Sequence, residues 1–260
     1  MRIVLIGAGN VGWHLGIRMA ECGHPPLQVY SRTPQRAGAL AARLGADPIS
    51  QLEDLHPDAG LYILAVRDDA IAEVARRLAG HIAASALVVH TSGATPGRVL
   101  AGHFPRWGVF YPLQTFSRDA PVDFAELPLC VFAARAPDEA LLLRLGQALS
   151  GQVQVVNDEE RAVLHVAAVF VNNFTNALYG LGFELAEAEG LDPGLLRPLL
   201  LETARKVQNQ TPREAQTGPA RRRDQQTIDR HLTYLRRRHP QYEELYRRLT
   251  ALIQNQQSKK

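Results

Sequence analysis

The first twelve residues set a short apolar strand, Ile3-Val4-Leu5-Ile6, directly before the run Gly7-Ala8-Gly9-Asn10-Val11-Gly12. A strand that feeds a G-x-G-x-x-G turn and then a helix, Trp13–Glu21, restricts the chain to a βαβ unit with the turn at its ligand-binding end. Gly7 permits the tight turn, Gly9 lets the backbone approach a pyrophosphate, and Gly12 allows the helix to pack close against the strand. Free N–H groups around Asn10 and Val11, with the positive end of the helix dipole, then face the phosphates. The pattern predicts a bound dinucleotide.

The second strand refines that expectation. Leu27-Gln28-Val29-Tyr30 ends in Ser31-Arg32-Thr33, about 20 residues past the glycines, where an NAD site places a carboxylate on the ribose 2′-hydroxyl. Ser31 and Thr33 can instead donate hydrogen bonds to a 2′-phosphate, and the Arg32 guanidinium can pair with it. NADP (NADPH) is therefore expected over NAD. Thr33 before Pro34 also reads as an ordinary helix N-cap, and both roles are compatible.

Strands and helices alternate to about residue 155. Helices are expected at Gln35–Leu44, Ala70–Ala79 and Asp138–Leu149, and strands at Gly60–Ala65, Leu87–Val89, Trp107–Phe110, Leu127–Ala133 and Val153–Val156. Such alternation implies an α/β fold, a doubly wound, mostly parallel Rossmann sheet with helices on both faces and ligands beyond the carboxyl ends of its strands. The segments Val66-Arg67-Asp68-Asp69 and His90-Thr91-Ser92-Gly93 should then line the cofactor crevice beside the glycine turn. The remainder reads as helices only. The expected division is an NADP-binding domain over residues 1–156 and an all-helical substrate and dimerisation domain over 157–260.

Composition is that of an ordinary globular chain, 46% hydrophobic and 21% charged. The net charge of +3 is uneven: residues 201–260 hold 14 Lys and Arg against 6 Asp and Glu, or +8, which leaves −5 for residues 1–200. The basic residues fall on amphipathic helices with Glu243/Arg247 and Glu244/Arg248 at i,i+4 spacing, a solvated face rather than a nucleic-acid surface. No apolar run approaches the roughly 20 residues needed to cross a bilayer, and the N-terminal strand is unlike a leader peptide. A cytoplasmic protein without membrane or nucleic-acid partners is expected. Cys22 and Cys130 lack metal-site clustering and read as reduced structural thiols, with no metal implied.

The first helix of the second half, about Glu159 to Glu189, is nearly all apolar in its middle and is expected to be buried on most sides. His165, Asn172, Asn176 and Tyr179 fall at i, i+7, i+11 and i+14, one stripe with Asn173 beside it. Buried amides and imidazoles need partners, so the stripe either meets polar groups of the protein or walls a ligand cavity. Farther on, Ile228, His231, Leu232 and Leu235 share a stripe that makes His231 a core residue. Arg221, Arg222 and Arg223 follow the Thr217-Gly218-Pro219 turn and offer a carboxylate or phosphate clamp, with Arg222 at its centre.

An N-terminal NADP-type Rossmann domain followed by a helical domain that opens on such a helix resembles the 6-phosphogluconate dehydrogenase-like superfamily, which includes ketopantoate and pyrroline-5-carboxylate reductases. The segments His90–Gly93, Tyr111-Pro112-Leu113-Gln114-Thr115-Phe116, His165–Tyr179 and Thr217–Asp224 more narrowly resemble bacterial Rossmann-like NADP oxidoreductases that carry a C-terminal domain of unknown function. The resemblance implies hydride transfer to or from a small carbonyl, hydroxy-acid or imine substrate between the domains, with ketopantoate-like 2-oxo acids as the nearest analogy. It also implies a homodimer built through the helical domain, as does the apolar face after Pro240. Several relatives carry a Lys four residues before an Asn on this helix, where Ala168 and Val169 stand. Proton transfer is then left to His165, His90, Tyr111 or His231, of which imidazoles titrate nearest neutrality. Asn172 or Asn173 would orient the reacting oxygen, and Tyr111, Gln114, Asn176 and Arg222 would contact substrate. A non-catalytic NADP-binding regulator is the alternative.

Overall fold

In the computed structural model, which describes residues 1–258, the chain forms two compact units, Met1–Thr175 and a second from Asn176 on. The first unit holds an eight-stranded sheet of β1 (Ile3–Ile6), β2 (Gln28–Tyr30), β3 (Asp47–Ile49), β4 (Leu61–Leu64), β5 (Leu87–His90), β6 (Trp107–Pro112), β7 (Pro128–Ala133) and β8 (Gln152–Val155). Their order is β3-β2-β1-β4-β5-β6-β7-β8, and every pair is parallel except β6 with β7. The short edge strand β3 is an addition to the sequence reading. It has one residue of Pro and starts on Asp, so neither its composition nor its length announces a strand.

Strands β1, β4 and β5 are buried throughout, as a parallel sheet covered on both faces demands. Side chains alternate between two cores. Ile3, Leu5, Leu61 and Ile63 pack with Leu15 and Met19 of α1 (Asn10–Glu21), Leu40 and Leu44 of α2 (Pro34–Leu44), and Leu142 and Leu145 of α4 (Ala136–Leu149). Val4, Ile6, Tyr62 and Leu64 pack on the other face with Ile71, Ala75 and Leu78 of α3 (Asp68–Leu78). The strand order turns back at β1, between β2 and β4, so the open crevice lies beyond β1's carboxyl end, at the glycines.

After β8, α5 (Asp158–Ala168) starts on a capping box: the Asn157 side chain accepts from the Glu159 and Glu160 amides, and Glu160 accepts from the Asn157 amide. The expected single helix is not uniform. Residues Val169–Phe174 form a π turn before α6 (Thr175–Ala188), and the Thr175 hydroxyl donates to the Phe170 carbonyl at 3.1 Å. The widened turn shifts the phase of side chains beyond it, which 3.6-residue periodicity cannot foresee.

The expected burial of this helix is also corrected. Val163, Val166, Phe170, Val171 and Phe174 are all more than half exposed or close to it, and Asn172, Asn173 and Asn176 are exposed too. All-apolar composition indicated an apolar environment, but the chain does not itself supply it on these sides.

The second unit continues with α7 (Arg197–Asn209), short helices α8 (Pro212–Ala215) and α9 (Pro219–Arg222), α10 (Gln225–Arg238) and α11 (Glu243–Ser258). Its buried apolar residues are few, among them Ala220, Ile228, Leu232 and Leu235. His231 is exposed rather than a core residue, its Nδ1 2.8 Å from the Tyr246 hydroxyl. Glu243–Arg247 and Glu244–Arg248 pair at 2.6 and 2.7 Å across one turn of α11. No helix among the described residues is long and apolar enough to cross a membrane. Both cysteines are free.

Candidate functional site

The glycine turn is built as a phosphate cradle. Gly7 has φ +121°, and a Cβ there would lie 2.2 Å from the Ala65 carbonyl oxygen; one on Gly12 would lie 2.0 Å from that of Gly7. Backbone conformation and close approach thus require glycine at both positions. A Cβ on Gly9 would meet nothing within 4 Å, so its space opens to the crevice. Gly9 is the N-cap of α1 and makes no side-chain cap, and the first turn, Asn10-Val11-Gly12, carries no acidic residue. Its amides are free to meet an anion.

From this turn a cleft of about 570 Å³ extends past the ends of β1 and β2, lined by Gly7, Gly9, Ser31, Arg32, Thr33 and Arg36 and by Val66, Arg67, Asp69, Glu73 and Arg77, with Arg67 paired to Asp69. Thr33 caps α2 by position, but its hydroxyl makes no capping hydrogen bond, and Ser31 Oγ accepts from the Thr33 amide at 3.2 Å. Arg32 and Arg36 are both exposed, and neither has an ion-pair partner among the described residues. Two hydroxyls, two unpaired guanidiniums and a helix N-terminus suit a 2′-phosphate. Arg36 and Arg77 were missing from the sequence reading. Arg36 lies one helical turn after Arg32, a spacing that could have flagged it, whereas Arg77 arrives from α3, where it pairs with Glu53 at 2.8 Å.

A second cleft, about 870 Å³, adjoins the first and shares Gly9, Ala65, Val66 and Arg67 with it. Its walls bring together Tyr111, Gln114, His165, Asn172 and Asn173 with the apolar Leu113, Phe116, Leu164, Val169 and Val171. Residues from strand β6 and helix α5 thus meet at one opening. Gln114 turns its Oε1 to accept from the Thr115 amide, leaving its amino group for the cleft. The loop after β6 is fixed to α1: Asn10 Nδ2 donates to the Phe116 carbonyl at 2.8 Å, His14 Nε2 donates to the Ser117 carbonyl at 2.9 Å, and Arg118 stacks 3.9 Å from the Trp13 ring. The Asn10 side chain is therefore committed to this loop, and its backbone amide is what faces the cradle.

Inside the second cleft the Tyr111 hydroxyl lies 3.4 Å from His165 Nδ1, the rings edge to face. Gly93 closes the back of the pair: a Cβ there would lie 2.6 Å from His165 Nδ1 and 2.8 Å from the Tyr111 oxygen. Burial pushes the Tyr111 phenol up to about 12, Cys130 and Asp68 add to that, and the Arg161 charge opposes it.

His90 is placed differently from Tyr111 and His165. It is fully buried and outside the lining of both clefts, with Nδ1 accepting from the Ser92 amide at 3.2 Å. Desolvation, reinforced by the Arg161 charge, pushes its pKa down to about 4, so it stays neutral. At the end of a strand buried on both faces, this imidazole packs inside the fold rather than reaching the crevice. Thr91 and Ser92 are likewise buried outside the lining; Thr91 Oγ1 donates to the Leu64 carbonyl, and Ser92 Oγ accepts from the Ala94 and Thr95 amides. They shape the turn after β5.

Arg161 was not singled out from sequence. Its side chain is 1% exposed, with Nη2 donating to the Thr95 carbonyl at 2.6 Å and pairing with Asp158 at 2.8 Å. Burial alone would raise Asp158, but the Gly97 amide and Arg161 hold its carboxyl below the usual value. Asn176 and Arg222 belong to the second unit and are outside the lining of both clefts. Among the described residues no group of three or more His, Cys, Asp and Glu is arranged to hold a metal ion.

A model described as a Rossmann-like domain matches residues 1–109, and one described as a domain of unknown function, DUF2520, matches residues 127–253. No curated protein matches the chain. Among solved structures, "putative NADP oxidoreductase BF3122" from Bacteroides fragilis is 41% identical over 98% of both chains, with a TM-score of 0.90. An imine reductase of Streptomyces aurantiacus, 19% identical, covers 80% of this chain and 74% of its own with a TM-score of 0.63. The Plasmodium falciparum pyrroline carboxylate reductase, solved with NADP bound, is 14% identical over 99% of this chain and 98% of its own, with a TM-score of 0.55. The last two share the fold alone. With both domain models on one chain and 41% identity along nearly all of it to one relative, the protein belongs to the family in which a Rossmann-like domain precedes the domain of unknown function DUF2520.

Proposed function

We propose that this protein is an NADP(H)-dependent oxidoreductase that reduces a small carbonyl or imine compound, or oxidises the corresponding product. The observation that carries the reading is the shared edge of the two clefts. A dinucleotide laid over Gly9 would place its 2′-phosphate among Ser31, Arg32, Thr33 and Arg36, and its other end past Val66 at the opening held by Tyr111, His165, Asn172 and Asn173. When bound, the nicotinamide supplies or accepts a hydride. The chain's own residues bind the phosphates, exclude water with the apolar lining, donate hydrogen bonds to the reacting oxygen from Asn172 or Asn173, and handle the proton. The name of the Bacteroides fragilis protein and the NADP bound to the Plasmodium falciparum one support the same cofactor.

The working form on this reading is a homodimer in the cytoplasm. All of the exposed large apolar side chains except Met1 lie at or after Val155. A second unit with so small a core of its own, together with the exposed apolar side of α5 and the π turn, calls for a second copy to cover it.

Calorimetric titration with NADPH and NADH, followed by cofactor oxidation against a panel of ketones, aldehydes, 2-oxo acids and cyclic imines, tests the reading. Tighter binding of NADPH and consumption with at least one panel class are expected. Absence of NADPH binding overturns it.

A further inference from the structure

We propose that the Tyr111 phenol delivers the proton to a carbonyl oxygen in this reaction, and that His165, acting through Tyr111, restores it. The inference rests on the oxidoreductase reading above and deepens it to a proton donor and a substrate class.

Three features of the cleft carry it. The Tyr111 oxygen stands at the carboxyl end of β6 within the lining, where a substrate would sit, and 3.4 Å from His165 Nδ1. Such a pair tightens when ligand excludes water. Gly93, bare of a side chain, leaves the phenol and imidazole room to meet: an added Cβ would crowd both within 2.8 Å. Finally, a buried cation acts on the phenol. Arg161 is 1% exposed, its Nε and Nη1 lack protein partners, and it favours the phenolate that donation leaves behind. The other titratable groups facing Tyr111 are Cys130 on β7 and Asp68 on α3, both of which oppose ionisation.

The chemistry of the lining selects the substrate. A phenol held neutral well above physiological pH is a weak acid, but the alkoxide that develops when hydride adds to a carbonyl is a stronger base still. An iminium ion arrives already protonated and would be steadied by an anion, whereas the lining holds no carboxylate, and its guanidinium, Arg67, is paired with Asp69 at 2.7 Å. The geometry therefore favours a ketone or aldehyde over an imine.

Hydride from the reduced nicotinamide adds to the carbonyl carbon, and the C=O π pair moves to oxygen. The Tyr111 O–H bond breaks as the new O–H bond forms. The phenolate takes the Nδ1 proton of His165 as His165 Nε2 takes one from solvent, and exchange with solvent, gaining a proton at Nδ1 and losing the one at Nε2, then returns the imidazole to its resting tautomer. In the resting tautomer His165 Nδ1–H donates to the Tyr111 oxygen, leaving the phenol proton for the substrate.

The test uses the full chain in three measurements. In the first, fluorine NMR of Tyr111→3-fluorotyrosine is recorded without any cofactor: the resonance is expected to move in His165→Gln, and a signal indifferent to His165→Gln overturns the pairing. The fluorophenol should also ionise at higher pH in Arg161→Met and return toward the parent in Arg161→Lys. In the second, NADPH binding should stay within about threefold in Tyr111→Phe and His165→Gln, which separates the proton assignment from the cofactor reading. In the third, Tyr111→Phe should lower kcat for carbonyl reduction about 10²–10⁴-fold, the range for losing a general acid, while His165→Gln should lower it less and flatten the pH profile. A Tyr111→Phe enzyme as fast as wild type, or an NADPH-binding wild type that reduces imines and no carbonyl, or nothing in the panel, overturns the proposal. Loss of NADPH binding in wild type instead brings down the underlying reading.

Discussion

Asn10, in the first turn of α1, holds the carbonyl of Phe116 at 2.8 Å across 106 residues of sequence. The contact ties the loop that walls the second cleft to the first turn of the helix beside the first cleft, a corner that the proposed function assigns to both cofactor and substrate. A single neutral hydrogen bond contributes about 0.5–1.5 kcal/mol. Asn10→Ala should therefore weaken NADPH binding by only about two- to tenfold and raise the substrate KM by a similar factor, read by calorimetry and steady-state kinetics. His14→Ala, which removes the neighbouring bond to Ser117, should act in the same direction.

Cofactor selectivity should reside in Arg32 and Arg36. Each offers a charge-assisted contact to a 2′-phosphate, worth about 1.5–3 kcal/mol. Arg32→Ala is expected to weaken NADPH by roughly 10- to 100-fold and leave NADH nearly unchanged, and Arg36→Ala to do the same more weakly because it stands a turn farther along α2. Parallel titrations with the two cofactors check this, and equal losses for both would remove these residues from the phosphate site.

Asn172 lines the second cleft from the π turn. If its amide meets the oxygen on which charge develops, Asn172→Ala should lower turnover by about 10²–10³ with NADPH affinity unchanged. Asn173→Ala separates the two neighbours, since only the amide aimed at the reacting oxygen should show the full effect.

His90 makes stability depend on pH. Its pKa is held at about 4 in the folded chain against 6.5 for the free side chain, so between these values the unfolded chain binds the extra proton. The contribution is complete above pH 6.5 and is lost as pH falls toward 4, amounting to about 3 kcal/mol. His90→Asn keeps an acceptor for the Ser92 amide and removes the titration. Thermal melts from neutral to mildly acidic pH should show wild type losing more Tm than this variant.

Assembly should respond to charge on the exposed apolar side of the α5 and π-turn segment. Phe170→Asp and Val171→Asp place carboxylates where the side chains are 63% and 76% exposed in the single chain, so little destabilisation of the fold is expected. Light scattering should report a dimer for wild type and a monomer for the double variant; a monomeric wild type would refute the assembly.

The sequence by itself determined the β1–turn–α1 cradle, the basic and hydroxyl-bearing end of β2, the alternation of strands and helices up to β8 apart from the edge strand β3, and the placement of His165, Asn172 and Asn173 on one helical segment. Each of these is written within a few turns of chain: a glycine is required where φ is positive or a Cβ would strike a carbonyl, and apolar periodicity marks which faces turn inward. Tertiary structure alone decided that Tyr111 and His165 meet across 54 residues while His90 does not join them. From sequence all three were open as proton donors, the imidazoles ahead of Tyr111, because nothing local says which strand ends share a cleft and which are sealed between two layers. It also decided the buried position of Arg161, the π turn between α5 and α6, and the exposure of a helix whose composition promised burial. Local propensity sets what each segment prefers to face; the packing of distant segments determines what it actually meets.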